Sequence, residues 1–184
     1  MKGIVFNLLE EVVSRRYGDD TWDQLLDAAG LDGAYTSLGN YPDAQLFALV
    51  AAASTALDVP AHAVVRWFGR EAIPLMAQKY PVFFDRHTQT RPFLTTLNSI
   101  IHPEVRKLYP GADVPDFVMD SSSPDLLRMD YMSARKLCAF AEGLIEGAAA
   151  HFGERASITH DRCMHRGDLQ CQLELTFERA PLDA

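Results

Sequence analysis

No stretch of this 184-residue chain reaches the roughly 18 uninterrupted apolar residues that a membrane-spanning helix needs. The opening Met1-Lys2-Gly3-Ile4-Val5-Phe6-Asn7 meets the acidic Glu10 and Glu11 before any cleavage-like site, so it does not read as a secretory leader. Basic residues are in deficit as well. Lys and Arg number 17 against 25 Asp and Glu, a net charge of −8 that opposes a phosphate-tracking surface and argues against a nucleic-acid partner. Cysteine is scarce: Cys138, Cys163 and Cys171 are an odd number confined to the last third, which fits reduced thiols or metal ligands better than a secreted disulfide scaffold. These absences point to a cytoplasmic protein with no membrane partner. What remains is an ordinary globular composition, 48% hydrophobic and 23% charged, in a chain long enough to bury about 70% of its unfolded surface without help from a metal.

The hydrophobic period is helical through the first half. Ile4, Val5, Leu8, Leu9, Val12 and Val13 mark an amphipathic helix over 2–16, with Gly18 as its stop. Thr21-Trp22-Asp23-Gln24 has the form of a capping box and predicts a short helix ending at Gly30. An alanine-rich helix follows over 43–57, then one over 60–68 and another over 71–80, with a break at Gly69. Residues 92–108 predict a further helix that contains His102 and kinks at Pro103.

Beyond Tyr109-Pro110-Gly111 the period changes. Apolar runs at 117–119 and 126–131 flank Ser121-Ser122-Ser123-Pro124 as a hairpin, residues 134–152 return to helix, and 169–178 alternate apolar with polar as a half-buried strand. Arg166-Gly167-Asp168 reads as a turn between two strands rather than as an adhesion motif. The fold class is α+β, a helical N-terminal subdomain packed over a C-terminal four-stranded antiparallel sheet that carries helices.

Two constellations carry chemistry. His102 is followed by Pro115 and then by Tyr131-Met132-Ser133-Ala134-Arg135, where a phenol, a hydroxyl and a guanidinium stand together as donors for one or two carboxylates. The plain alternative for Arg135 is a surface ion pair at a helix start. In the second, Cys138, His160, Cys163 and Cys171 supply three thiolates and an imidazole, a set suited to tetrahedral zinc. A Cys163–Cys171 disulfide or free buried thiols are the other readings, and His165 is a possible competing ligand. No acid–base pair, Ser-His-Asp or Cys-His arrangement stands out, so an enzyme is not expected.

The opening Met1 to Asn7, the His102-Pro103 and Pro115 spacing, and Tyr131-Ser133-Arg135 together make the sequence resemble the H-NOX family, the haem nitric oxide/oxygen binding domains that include the sensor domain of soluble guanylate cyclase. The resemblance covers essentially the whole chain and implies a single domain over 1–184, with a distal helical part at 1–60 and a proximal part at 61–184. Its length matches a stand-alone bacterial member. It further implies a b-type haem between the two parts, with His102 as the axial ligand of the iron. Tyr131, Ser133 and Arg135 would clamp the propionates, while Pro115 and Ile4 or Val5 press on the porphyrin.

Oxygen-binding members place a tyrosine where this chain has Phe140. With Leu144 one turn on and Leu9 facing them, the distal pocket offers no donor, so the resemblance implies nitric oxide and carbon monoxide binding with oxygen excluded. It also supports the zinc. The implied function is a sensor that regulates a separate signalling protein, a histidine kinase or a cyclic-di-GMP enzyme, through release of His102 from the iron. The alternative function is a redox sensor built on the zinc-thiolate set Cys138, His160, Cys163 and Cys171.

Overall fold

The computed structural model describes residues 1–180, so the last four positions of the single domain expected over 1–184 lie outside the described residues. Three helices lead: α1 (Gly3–Tyr17), α2 (Asp19–Ala29) and α3 (Asp43–Leu57). Phe6, Leu8, Leu9, Val12 and Val13 of α1 are all buried, as their helical spacing requires, and they pack with Trp22, Leu26, Leu46 and Leu49 into one core. The expected capping box does not form. Helix α2 starts at Asp19, directly after Gly18, and the Thr21 hydroxyl bonds back to the Tyr17 carbonyl at 3.0 Å instead of capping its own helix. Gly30 closes α2 in the left-handed region, at φ 66°, where glycine alone pays no steric cost.

The expected break at Gly69 is absent. A single helix α4 (Ala61–Lys79) runs through it, because Gly69 is needed for closeness rather than for a turn. A Cβ there would lie 2.5 Å from the carbonyl oxygen of Phe140 on helix α8 (Cys138–His151). Gly143 and Gly147 do the same from the other side, where a Cβ would meet the carbonyl oxygens of Arg66 and Arg70 at 1.9 and 2.6 Å. The two helices therefore cross nearly backbone to backbone.

The single helix expected over 92–108 is three segments. After the short α5 (Pro81–Phe84) come α6 (Thr90–Thr95), a π-helical turn over Leu97–Ile101, and α7 (His102–Leu108). Pro103 has no N–H to continue an α ladder, and the wider i→i−5 bonds close just before it: Ile101 N–H reaches Thr96 and His102 N–H reaches Leu97.

The described residues hold four strands: β1 (Asp116–Asp120), β2 (Leu127–Met132), β3 (Glu154–Arg162) and β4 (Cys171–Arg179). They form one antiparallel sheet in the order β1-β2-β4-β3, the four-stranded sheet expected of the α+β class. Leu127, Met129 and Tyr131 alternate inward against Leu173, Leu175 and Cys171, and α8 covers that face. Helix α8 begins four residues later than its expected start at Ala134, since Lys136 takes a left-handed φ of 52° and holds residues 133–137 out of the helix. No single helix of the described residues is long and apolar enough to cross a membrane.

Candidate haem cavity and metal centre

A cavity of about 330 Å³ opens between the N-terminal core and the sheet core. Its walls are almost wholly apolar, with Leu8, Leu46 and Phe68 from the first core and Phe93, Met129 and Ile145 from the second. That volume falls within the roughly 300–1,000 Å³ of small-molecule and cofactor sites.

The side chains that sequence reasoning singled out converge on it. Ile4, Val5, His102, Pro115, Tyr131, Ser133, Arg135, Phe140 and Leu144 all line the cavity. Leu9 does not; the lining residue is its neighbour Leu8, since the α1 face toward the cavity is turned by one position and Leu9 goes into the N-terminal core.

His102 opens α7, and its ring lies over Phe117 of β1 with centroids 5.6 Å apart. The π-helical turn that carries it is tied to the same strand, because Asn98 Nδ2 donates to the Phe117 carbonyl at 2.6 Å. Burial, reinforced by the Arg106 charge, pushes the imidazole down to about 4, so near neutral pH it is an uncharged ring with a lone pair to give. Tyr131 stays protonated because burial pushes its phenol up, and its oxygen accepts the Leu137 N–H at 3.0 Å, leaving its proton to be donated.

Arg135 is in ion pairs, as the plain reading of it allowed, but they sit at the cavity edge. Its Nε donates to Asp43 at 2.7 Å and its Nη1 to the Asp113 carboxylate at 2.8 Å and carbonyl at 2.7 Å. Asp43 also receives the Met1 ammonium at 2.6 Å. Partial burial raises the Asp43 carboxyl, yet the Met1 ammonium and Arg135 outweigh it and hold it below the usual carboxylate range. Arg135 Nη2 has no bond among the described residues, and the side chain of Asp113 is exposed, so the guanidinium has donors to offer an anionic group entering the cavity.

The residues fit a haem. An apolar slot, an uncharged imidazole inside it and donors at its rim match the porphyrin face, the iron and the propionates in turn. Sequence reasoning passed over Asp43 and Asp113, whose link to Arg135 is long-range, and the Tyr80 and Tyr109 hydroxyls, which bond to each other at the ends of α4 and α7 and line the same cavity.

The second constellation also comes together. A ring nitrogen of His160 and the sulfurs of Cys138, Cys163 and Cys171 lie within 4.8 Å of one another. Successive sulfurs are 3.9 Å apart, so the three are free thiols and the Cys163–Cys171 disulfide does not form. Burial, with the neighbouring sulfurs, pushes the Cys138 thiol well up, and burial raises Cys171 as well. A divalent cation would displace those protons and gain the thiolates. His165 is not a competitor, since its Nε2 is engaged with the Lys136 carbonyl at 2.7 Å. Sequence reasoning missed Glu142, which bonds His160 Nδ1 at 2.6 Å; its i, i+4 spacing from Cys138 on α8 was the available signal.

A family model described as Haem-NO-binding matches residues 2–160. Among solved structures, an H-NOX protein from Shewanella oneidensis in the Fe(II)NO ligation state superposes with a TM-score of 0.91 at 33% identity, covering 97% of this chain and 100% of that one. The Fe(II)CO state of the Shewanella oneidensis domain gives 0.88 at 33% identity, covering 97% and 99%. An unliganded Fe(II) H-NOX protein from K. algicida gives 0.86 at 25% identity over the full length of both.

Proposed function

Because this chain belongs to the haem-NO-binding, or H-NOX, family and has the fold of its gas-sensor domains, we propose that it is a sensor in which a b-type haem occupies the central cavity and reports nitric oxide. The observation that carries the reading is the half-buried His102 ring on a cavity whose other walls are almost wholly apolar, with Ser133 and Arg135 beside it. When bound, the haem supplies a ferrous centre with one open position for a diatomic gas.

The protein's own part is to hold, shape and report. His102 would hold the iron through a ring nitrogen, Tyr131, Ser133 and Arg135 would take the propionate carboxylates, and Pro115 with Ile4 and Val5 would lie against the ring. Phe140, Leu144 and Leu8 offer a bound gas no hydrogen bond, which favours nitric oxide and carbon monoxide over oxygen, whose bound form gathers negative charge and needs a donor. Once its hold on the cofactor were lost, His102 would leave α7 free to shift against the N-terminal part, and a signalling partner, a histidine kinase or a cyclic-di-GMP enzyme, would read that shift. We take the chain as one sensor domain, with 1–60 as its distal and 61–184 as its proximal part.

The test is the absorption spectrum of the reduced protein without gas, under air and with nitric oxide. A five-coordinate ferrous haem that ignores oxygen and is again five-coordinate with nitric oxide is the expected result; a stable oxygen complex would overturn the selectivity, and no uptake of haem would overturn the reading. His102→Gly supplied with imidazole should regulate the partner as the nitric oxide form does. Behaviour like the unliganded wild type would remove the release step.

The cysteine cluster favours a second role beside the first. We read Cys138, His160, Cys163 and Cys171 as a zinc site, with a redox response as the alternative function: oxidation of its thiolates would eject the metal and loosen the β3–β4 turn. Peroxide that alters partner regulation in haem-free protein would support it, and silence would dismiss it.

A further inference from the structure

His160 is held through one of its two ring nitrogens. Its Nδ1 is 2.6 Å from Glu142 Oε1, while its Nε2 is buried and has no partner among the described residues. With Nδ1 engaged, Nε2 is the nitrogen left to serve the cluster of three sulfurs. Glu142 is itself only 7% exposed, a place where a carboxylate is costly unless both oxygens are satisfied. They are: Oε2 takes Arg66 Nη1 at 2.6 Å, across the crossing of α4 and α8.

Arg66 in turn is anchored by a second carboxylate. Its Nε and Nη2 fork onto Glu146 Oε1 at 3.0 and 2.5 Å. Glu146 alone would pair Arg66 on the open side of the crossing, so charge pairing of the two helices does not explain why a second, buried carboxylate sits between Arg66 and an imidazole. Cys138, Glu142 and Glu146 follow each other at i, i+4 spacing, which lays a sulfur and two carboxylates along one stripe of α8. Gly143 completes the arrangement by admitting the α4 backbone at Arg66, where any side chain would collide.

We propose that Glu142, locked by Arg66, is the positioning residue of the metal centre: it fixes the His160 imidazole with its proton on Nδ1 and its lone pair on Nε2 toward the three sulfurs. The proposal rests on the zinc reading above and adds to it a carboxylate and a guanidinium that touch no metal. A carboxylate behind a ligating histidine orients the ring and makes it a better donor, and its loss typically lowers metal affinity about 10–100-fold. The guanidinium holds that carboxylate in place through Oε2, so its loss acts through the same bond.

Zinc affinity of the haem-loaded protein, read by competition with a chromophoric chelator, tests this. Wild type is expected to bind one zinc per chain, and Glu142→Gln, which keeps size but loses charge, to bind it roughly 10–100-fold more weakly with an unchanged haem spectrum. Arg66→Met should weaken binding too, and Arg66→Lys should restore part of it. In the cobalt-substituted proteins the visible ligand-field bands should move in Glu142→Gln, a signature that mere loosening of the α4–α8 contact would not give. Wild-type affinity and wild-type cobalt bands in both Glu142→Gln and Arg66→Met would overturn the proposal. A wild type that takes up no zinc would overturn the zinc reading and the proposal with it.

Discussion

Phe140 stands where one oxygen atom would change the chemistry of the cavity. Its ring lies against Phe68, with centroids 5.0 Å apart, and neither ring can donate to a bound gas. Under the proposed function, Phe140→Tyr is expected to form a stable oxygen complex that wild type does not, seen as a new absorption spectrum under air. His102 sets a pH limit of a different kind. Its folded value of about 4 lies below the ordinary 6.5, so between those values the unfolded chain binds the extra proton. Stability of the haem-free protein should therefore fall as pH drops from about 6.5 to about 4, and His102→Leu should lack that step in thermal melts across the range. The sequence singled out His102, Pro115, Tyr131, Ser133 and Arg135 by residue chemistry and by the order of motifs in a resembling family, and all five line the cavity. It hid Asp43, which meets Arg135 across 92 positions, because no local pattern records a partner brought in by folding.

At the level of elements, the sequence was most legible where a period persists. The 43–57 helix stands where its apolar spacing puts it, and the alternating β4 does so from Cys171 on, two residues after the expected start at the exposed Leu169. Two of its errors share one cause, the reading of glycine and of small polar groups by local habit. Gly69 looked like a stop and is a contact point; Thr21 looked like a cap and bonds the preceding helix. A helix can carry glycine through its middle when a neighbour's backbone fills the space, and only the tertiary structure shows the neighbour. The crossing is accordingly tight. Gly143→Ala would put a Cβ 1.9 Å from the Arg66 carbonyl oxygen, and we expect about 1–3 kcal/mol of destabilisation from the forced shift, measured by urea unfolding.

For the molecule as a whole, the Met1 ammonium, Asp43 and Arg135 form a chain of charge that fastens the first residue and the start of α3 to the loop after β2. Asp43→Asn should cost about 1–2 kcal/mol at neutral pH, between the values typical of exposed and buried pairs. Because the folded-state carboxyl is held below its ordinary value of 3.8, that contribution is present above it and disappears as pH falls through the depressed value. Wild type and variant should thus converge in acid, which unfolding at pH 7 and well below pH 3.8 would reveal. Chain length has one forgiving point in this architecture. The π-helical turn over Leu97–Ile101 holds one residue more than an α-helix would fit into the same bonds. Losing one of its five residues would close a regular ladder over the same span and leave His102 aimed at the cavity, whereas one residue lost from a regular helix would turn everything downstream by about 100°.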